Sequence, residues 1–120
     1  MATEITLNVS MRVANGNLLE TIQPGAISID QVAVGGPSPG YVTIGTSEEP
    51  VTLSELSTLG YCYLQNLDAT NFVRWGFTTG VYGGRLNAGE IAVLRLNPGS
   101  SLFMIANTAA CKCLVKVFEN

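Results

Sequence analysis

The sequence predicts an all-β protein: an antiparallel β-sandwich, jelly-roll-like, with at most one short helical turn. Three observations predict it. Apolar and polar residues alternate with a period of two in one run after another. Gly- and Pro-rich punctuation separates those runs at near-regular spacing. A chain of 120 residues bounds one domain, 1–120, and a sandwich of that size can bury a working core without disulfides or a metal.

The elements follow in chain order. "ITLNVSMRV" places Ile5, Leu7, Val9, Met11 and Val13 on one face of a strand. "NLLETI" runs into "QPG", where Pro24 and Gly25 suit the central positions of a type II turn, and "AISIDQVAV" is the returning strand. "GGPSPG", residues 35–40, reads as a surface loop because its prolines cannot donate ladder bonds. "YVTIGT" is a short strand. Ser54 to Leu59, in the least regular stretch, is the one place where a helical turn is expected. Five cleaner strands follow: "YCYLQNL", "NFVRWGF", "GEIAVLRL", "SLFMIAN" and "CKCLVKVF", with a weaker one at Val81–Leu86. Asn97-Pro98-Gly99-Ser100 repeats the type II chemistry, and Asn87-Ala88-Gly89-Glu90 echoes it.

Composition sets the function class. Charged residues make up 12 % of the chain, against about 25 % in a typical soluble domain. So little charge predicts that part of the surface is covered by other subunits, and hence a homo-oligomer. The net charge is −3 and the six basic residues, Arg12, Arg74, Arg85, Arg95, Lys112 and Lys116, are scattered. No basic stripe of the kind nucleic acid requires is present. No apolar run approaches the ~18 residues of a membrane-spanning helix, and the alternating N-terminus does not read as a signal peptide. Synthesis in the cytoplasm and no membrane partner are therefore expected.

Candidate chemistry is sparse. There is no histidine, which removes the commonest general base. Cys62, Cys111 and Cys113 read as reduced, half-buried thiols, with Cys111 and Cys113 on one strand face; no metal site is expected. Among the nine carboxylates no spaced pair suggests glycoside hydrolysis, and adjacent Glu48 and Glu49 are expected to point apart. No catalytic residue and no cofactor site is assigned, and the expectation is a non-enzyme. The polar cluster in "YCYLQNLDATNFVRWG" reads as a hairpin tip at Asp68–Asn71, stabilised by side-chain acceptors. Beyond it, Trp75 fills the core. Tyr41, Tyr61, Tyr63, Trp75 and Tyr82 could line a sugar-binding shelf, so carbohydrate is kept as a possible ligand. Tyrosine is equally an interface residue, and interface is preferred. Arg95 shares a strand face with Ile91 and Val93, so its guanidinium must reach solvent, an acid such as Glu90 or Asp68, or a neighbouring subunit. The last is expected. The interface residues chosen are Tyr61, Tyr63, Arg74 and Arg95.

The run "YCYLQNLDATNFVRWG", followed by "LNAGEIAVLRLNPGSSLFMIANTAACKCLVKVFE", resembles small structural proteins of tailed bacteriophages over roughly residues 60 to 119. That resemblance implies a capsid decoration (cement) protein, often trimeric, that binds the major capsid protein on the virion surface after assembly in the host cytoplasm. The alternative is a carbohydrate- or receptor-binding module of a head or tail fibre.

Overall fold

The structure, a computed structural model, describes residues 4–120; the Met1–Thr3 part of the N-terminal alternation lies outside them. Where the sequence suggests one domain, the chain divides into two compact units, Met1–Val32 and Ala33–Asn120.

The first unit is built of two antiparallel strand pairs. β1 (Ile5–Asn8) pairs with β4 (Ala26–Ile29), and β2 (Met11–Asn15) with β3 (Leu18–Ile22). The β2–β3 turn places Gly16 at φ 57° ahead of Asn17, the arrangement of a type II′ hairpin turn. The nine-residue strand expected over "ITLNVSMRV" is broken at Val9–Ser10. Opposite that break lie Gln23, Pro24 and Gly25, where Pro24 has no N–H to offer and Gly25 sits at φ 84°. The "QPG" turn therefore interrupts a ladder instead of closing a hairpin: "AISI" pairs with "ITLN", not with "LLETI".

The second unit is an eight-stranded sandwich. One sheet has the order β10 (Ile91–Arg95), β7 (Leu59–Asn66), β12 (Cys111–Glu119), β5 (Ser38–Ile44). The other has the order β6 (Glu49–Pro50), β11 (Phe103–Ala106), β8 (Val73–Gly76), β9 (Gly84–Leu86). All pairings are antiparallel. Eight strands divided in this way have the connectivity of a jelly roll. Inward residues of both sheets, among them Leu64, Val73, Met104, Val115 and Val117, form one buried cluster. Trp75 packs against it from β8, as the alternation predicts.

Three local expectations are corrected. β5 begins at Ser38, inside the "GGPSPG" stretch read as loop. Pro39 is tolerated there because β5 is an edge strand, bonded only to β12. Ser54–Leu59 forms no helix, only a turn in which Leu56 N–H donates to Leu53 C=O at 3.1 Å. Asp68–Asn71 is not a hairpin tip, since β7 and β8 lie in different sheets; it is the corner by which the chain passes between them. The other turns match: Ser100 N–H donates to Asn97 C=O and Glu90 N–H to Asn87 C=O, both at 3.0 Å, with Gly99 and Gly89 at positive φ.

Candidate functional site

The outer face of the β10–β7–β12–β5 sheet gathers three of the four interface residues chosen from sequence. Strand register sets Ile91, Gln65, Leu114 and Tyr41 in one cross-strand row. Val93, Tyr63, Lys116 and Pro39 form the next row, and Arg95 beside Tyr61 a third. Tyr41 is 68 % exposed, Ile91 55 % and Val93 37 %. The Arg95 guanidinium lies 4.7 Å from the Tyr61 ring centroid, and the Lys112 ammonium 5.2 Å from that of Tyr41. Such contacts hold a cation flat on an aromatic surface. Arg95 therefore reaches Tyr61, and Asn120 Oδ1 at 3.5 Å, and neither of the acids suggested for it. Glu90 accepts from Asn87 N–H, and Asp68 serves its own corner. The rows carry two cations, Arg95 and Lys116, and no carboxylate; Lys112, paired with Thr43, adds a third on the same face. Glu119, at the end of β12, is bound by Ser57 and Gly35. The alternation of "CKCLVKVF" already placed both lysines opposite the cysteines; what it lacked was the identity of their cross-strand neighbours.

Arg74 is elsewhere. It projects from β8, paired with Ile105 and Arg85, and lies 5.1 Å from the Tyr82 ring. The five-member aromatic shelf is thereby split: Tyr41, Tyr61 and Tyr63 belong to one sheet, Trp75 and Tyr82 to the region of the other.

Beside β8 a pocket of about 400 Å³ is lined by Trp75, Gly76, Phe77, Thr78, Val81 and Gly83. The Trp75 and Phe77 rings meet edge to face at 5.7 Å. Glu48 fixes the loop that carries Val81: it accepts hydrogen bonds from the Thr79 hydroxyl, the Tyr82 hydroxyl and Gly80 N–H, the last at 2.7 Å. Glu49 instead accepts from Gly45 N–H, so the adjacent acids do point apart. Nothing in the sequence spacing announced the Glu48 clamp, whose partners lie some thirty residues on.

The polar corner is structural. Asp68 Oδ2 accepts from Asn71 N–H at 2.6 Å and Thr70 N–H at 3.0 Å. Beneath it Asn66 is fully buried. Its amide donates to Asn71 C=O at 2.9 Å and Leu86 C=O at 3.1 Å, and its Oδ1 accepts from Asp68 N–H at 3.0 Å.

Three carboxyls sit below their usual range. Hydrogen bonds cause it: from Thr79, then Tyr82 and Gly80, at Glu48; from Asn71 and Thr70 N–H at Asp68; from Ser57 N–H and hydroxyl at Glu119. Because the folded values are depressed, the unfolded chain binds more protons, so stability rises with pH and is lost on acidification. The contribution is complete above the ordinary carboxyl range near about 4 and disappears as pH drops through the depressed values. Melting temperature is therefore expected to hold from pH 7 to about 5 and to decline below about 4. Glu48→Gln should decline less steeply. A melting curve unchanged to pH 3 would remove the role assigned to these carboxylates.

All three cysteines are free and buried, on inward positions of β7 and β12. Burial pushes the Cys62 and Cys113 thiols up to about 12 and raises Cys111 as well. With almost no thiolate at pH 8, the folded protein should react with a disulfide reagent at a small fraction of the rate seen in denaturant. Equal rates in the two states would contradict this burial. Among the described residues no group of three or more Cys, Asp and Glu side chains is placed to hold a metal ion. Comparison of the chain with family models, curated proteins and solved structures finds no match.

Proposed function

We propose that this chain is a virion structural protein of bacteriophage, of the capsid decoration (cement) type. In this reading it binds the major capsid protein and stabilises the shell as a homo-oligomer, a trimer in its simplest form, acting by contact and without chemistry. One observation carries the reading: the outer face of the β10–β7–β12–β5 sheet exposes Tyr41, Ile91 and Val93 around Tyr61, Tyr63 and Leu114. Exposed apolar area rimmed by polar groups marks interaction surfaces, and tyrosine and arginine are the residues that interface cores favour. The resemblance of residues 60–119 to tailed-phage structural proteins supplies the virion context. The direct test adds the purified chain to expanded capsids lacking their decoration protein. Stoichiometric binding and a raised capsid melting temperature are expected; no binding to shells of any tailed phage tried would end the proposal. Arg95→Ala, which strips the cation from Tyr61, should reduce oligomer mass in light scattering at low protein concentration, and unchanged mass would remove Arg95 from the interface.

The pocket beside Trp75 favours a second reading, a carbohydrate- or receptor-binding module of a head or tail fibre. An apolar pocket with an aromatic wall is the usual form of a small-ligand site. Titration with sugars, followed by the fluorescence of Trp75, the only tryptophan, separates the two readings.

A further inference from the structure

The β2–β3 pair of the first unit leaves most of its apolar face exposed. In β2–β3, Met11, Val13, Leu18, Glu20 and Ile22 share one face by register. Met11 is 52 % exposed, Leu18 58 % and Ile22 47 %. A two-stranded hairpin is marginal in water unless a further layer covers its apolar side. Glu20 stands in the middle of that face, opposite Val13. The unit as a whole carries three carboxylates, Glu4, Glu20 and Asp30, against one guanidinium, Arg12, a net of 1 − 3 = −2.

The outer sheet face of the second unit is its chemical complement. It is apolar and aromatic, bears Arg95 and Lys116 but no carboxylate in its rows, has Lys112 on the same face, and has Lys116 at its centre between Tyr63 and Pro39. Two such sheet faces stacked together would set cation on cation, and two hairpin faces would bury Glu20 against Glu20; neither is tolerable without counter-charge. A hairpin face laid on a sheet face pairs both.

We propose that the β2–β3 hairpin of one copy docks on the β10–β7–β12–β5 face of a second copy, with Glu20 of one chain meeting Lys116 of the other. The contact is heterologous, each chain giving its hairpin and receiving another. Such contacts close into rings when the rotation permits and otherwise grow as open chains. The inference rests on the homo-oligomer reading above and specifies its geometry.

Charge reversal on the full chain tests it. Glu20→Lys and Lys116→Glu should each weaken assembly by about thirtyfold or more, the range for spoiling one partner of a desolvated charge pair. A double variant carrying both reversals should restore assembly, because each hairpin then finds an opposite charge on the next copy's sheet whatever the number of copies in the ring. Circular dichroism and melting of each variant confirm that it is folded. As a check independent of any substitution, carbodiimide treatment of mixed ¹⁴N and ¹⁵N protein should give an isotope-mixed Glu20–Lys116 link. Overturning results are single variants that assemble like the parent, a double variant that stays monomeric, or a Glu20–Lys116 link found only within single chains. An oligomeric parent indifferent to both reversals sinks this contact alone; a parent that is monomeric at every concentration sinks the homo-oligomer reading with it.

Discussion

Asn66→Ala is expected to destabilise the sandwich unit by about 3–5 kcal/mol, enough to lower its melting temperature by roughly 15 °C or more. The side chain is completely buried and uses both ends: its amide serves the carbonyls of Asn71 and Leu86, and its carbonyl oxygen takes the N–H of Asp68. Alanine leaves three backbone groups without partners. Each orphan costs about 1–3 kcal/mol when water cannot reach it. Some water will follow the truncation, which is why the sum stays below the upper limit. The same residue's backbone also bonds Glu90 C=O and Gly89 N–H, so one position ties together the corner from β7 to β8, the end of β9 and the start of β10. Asp68→Ala, which removes acceptors from the exposed side of that corner, should cost clearly less. Chemical denaturation of both variants decides the order. If Asp68→Ala proves the more damaging, the corner is held from its surface and the role given to Asn66 is wrong.

That ordering bears on what the sequence made legible. The density of polar residues in "NLDATN" identified a turn, because Asp and Asn side chains beside free N–H groups have local partners. Asn66 was invisible for the opposite reason. It occupies an inward position of an alternating strand, where an apolar residue is expected, and its partners arrive from Leu86 and Asn71 only once two sheets are stacked. The strands of the second unit were legible wherever alternation ran for four or more residues, as in "YCYLQN" and "CKCLVKVF". Pairing was not: the same alternation in "ITLNVSMRV" gave no sign that Pro24 and Gly25 would face its middle and split it. Of the residues chosen for an interface, Tyr61, Tyr63 and Arg95 fall on one sheet face since two adjacent strands carry them in phase. Arg74 was not separable from them, because its face is defined by sheet membership, and sheet order depends on contacts between distant segments. Lys116 shows the same limit. Its face was readable, but its place between Tyr63 and Pro39 depends on register.

Gly84→Ala is the second substitution expected to have a large effect, about 2–3 kcal/mol, through overpacking. A Cβ built on Gly84 would lie 2.1 Å from Trp75 Cε2 and 2.4 Å from Cζ2, far inside contact distance. The two residues face each other across the β8–β9 ladder, so the backbone cannot open without loosening the pairs on either side. Nor can the indole retreat freely, since it packs on the buried cluster. The neighbouring strand residue is equally constrained, because a Cβ on Gly76 would approach Val81 O at 2.1 Å. Replacing the indole with a shorter side chain should relieve the clash: Gly84→Ala with Trp75→Leu is expected to be less destabilised than the sum of the two single changes. That non-additivity, of the order of 1–2 kcal/mol, is the signature of residues in direct contact. Denaturant melts of the two singles and the double supply the cycle. Trp75 emission in the Gly84→Ala protein supplies a second readout, shifting to longer wavelength as the ring is forced toward water. Additive energies together with unshifted emission would mean that the glycine is not there to make room for the ring.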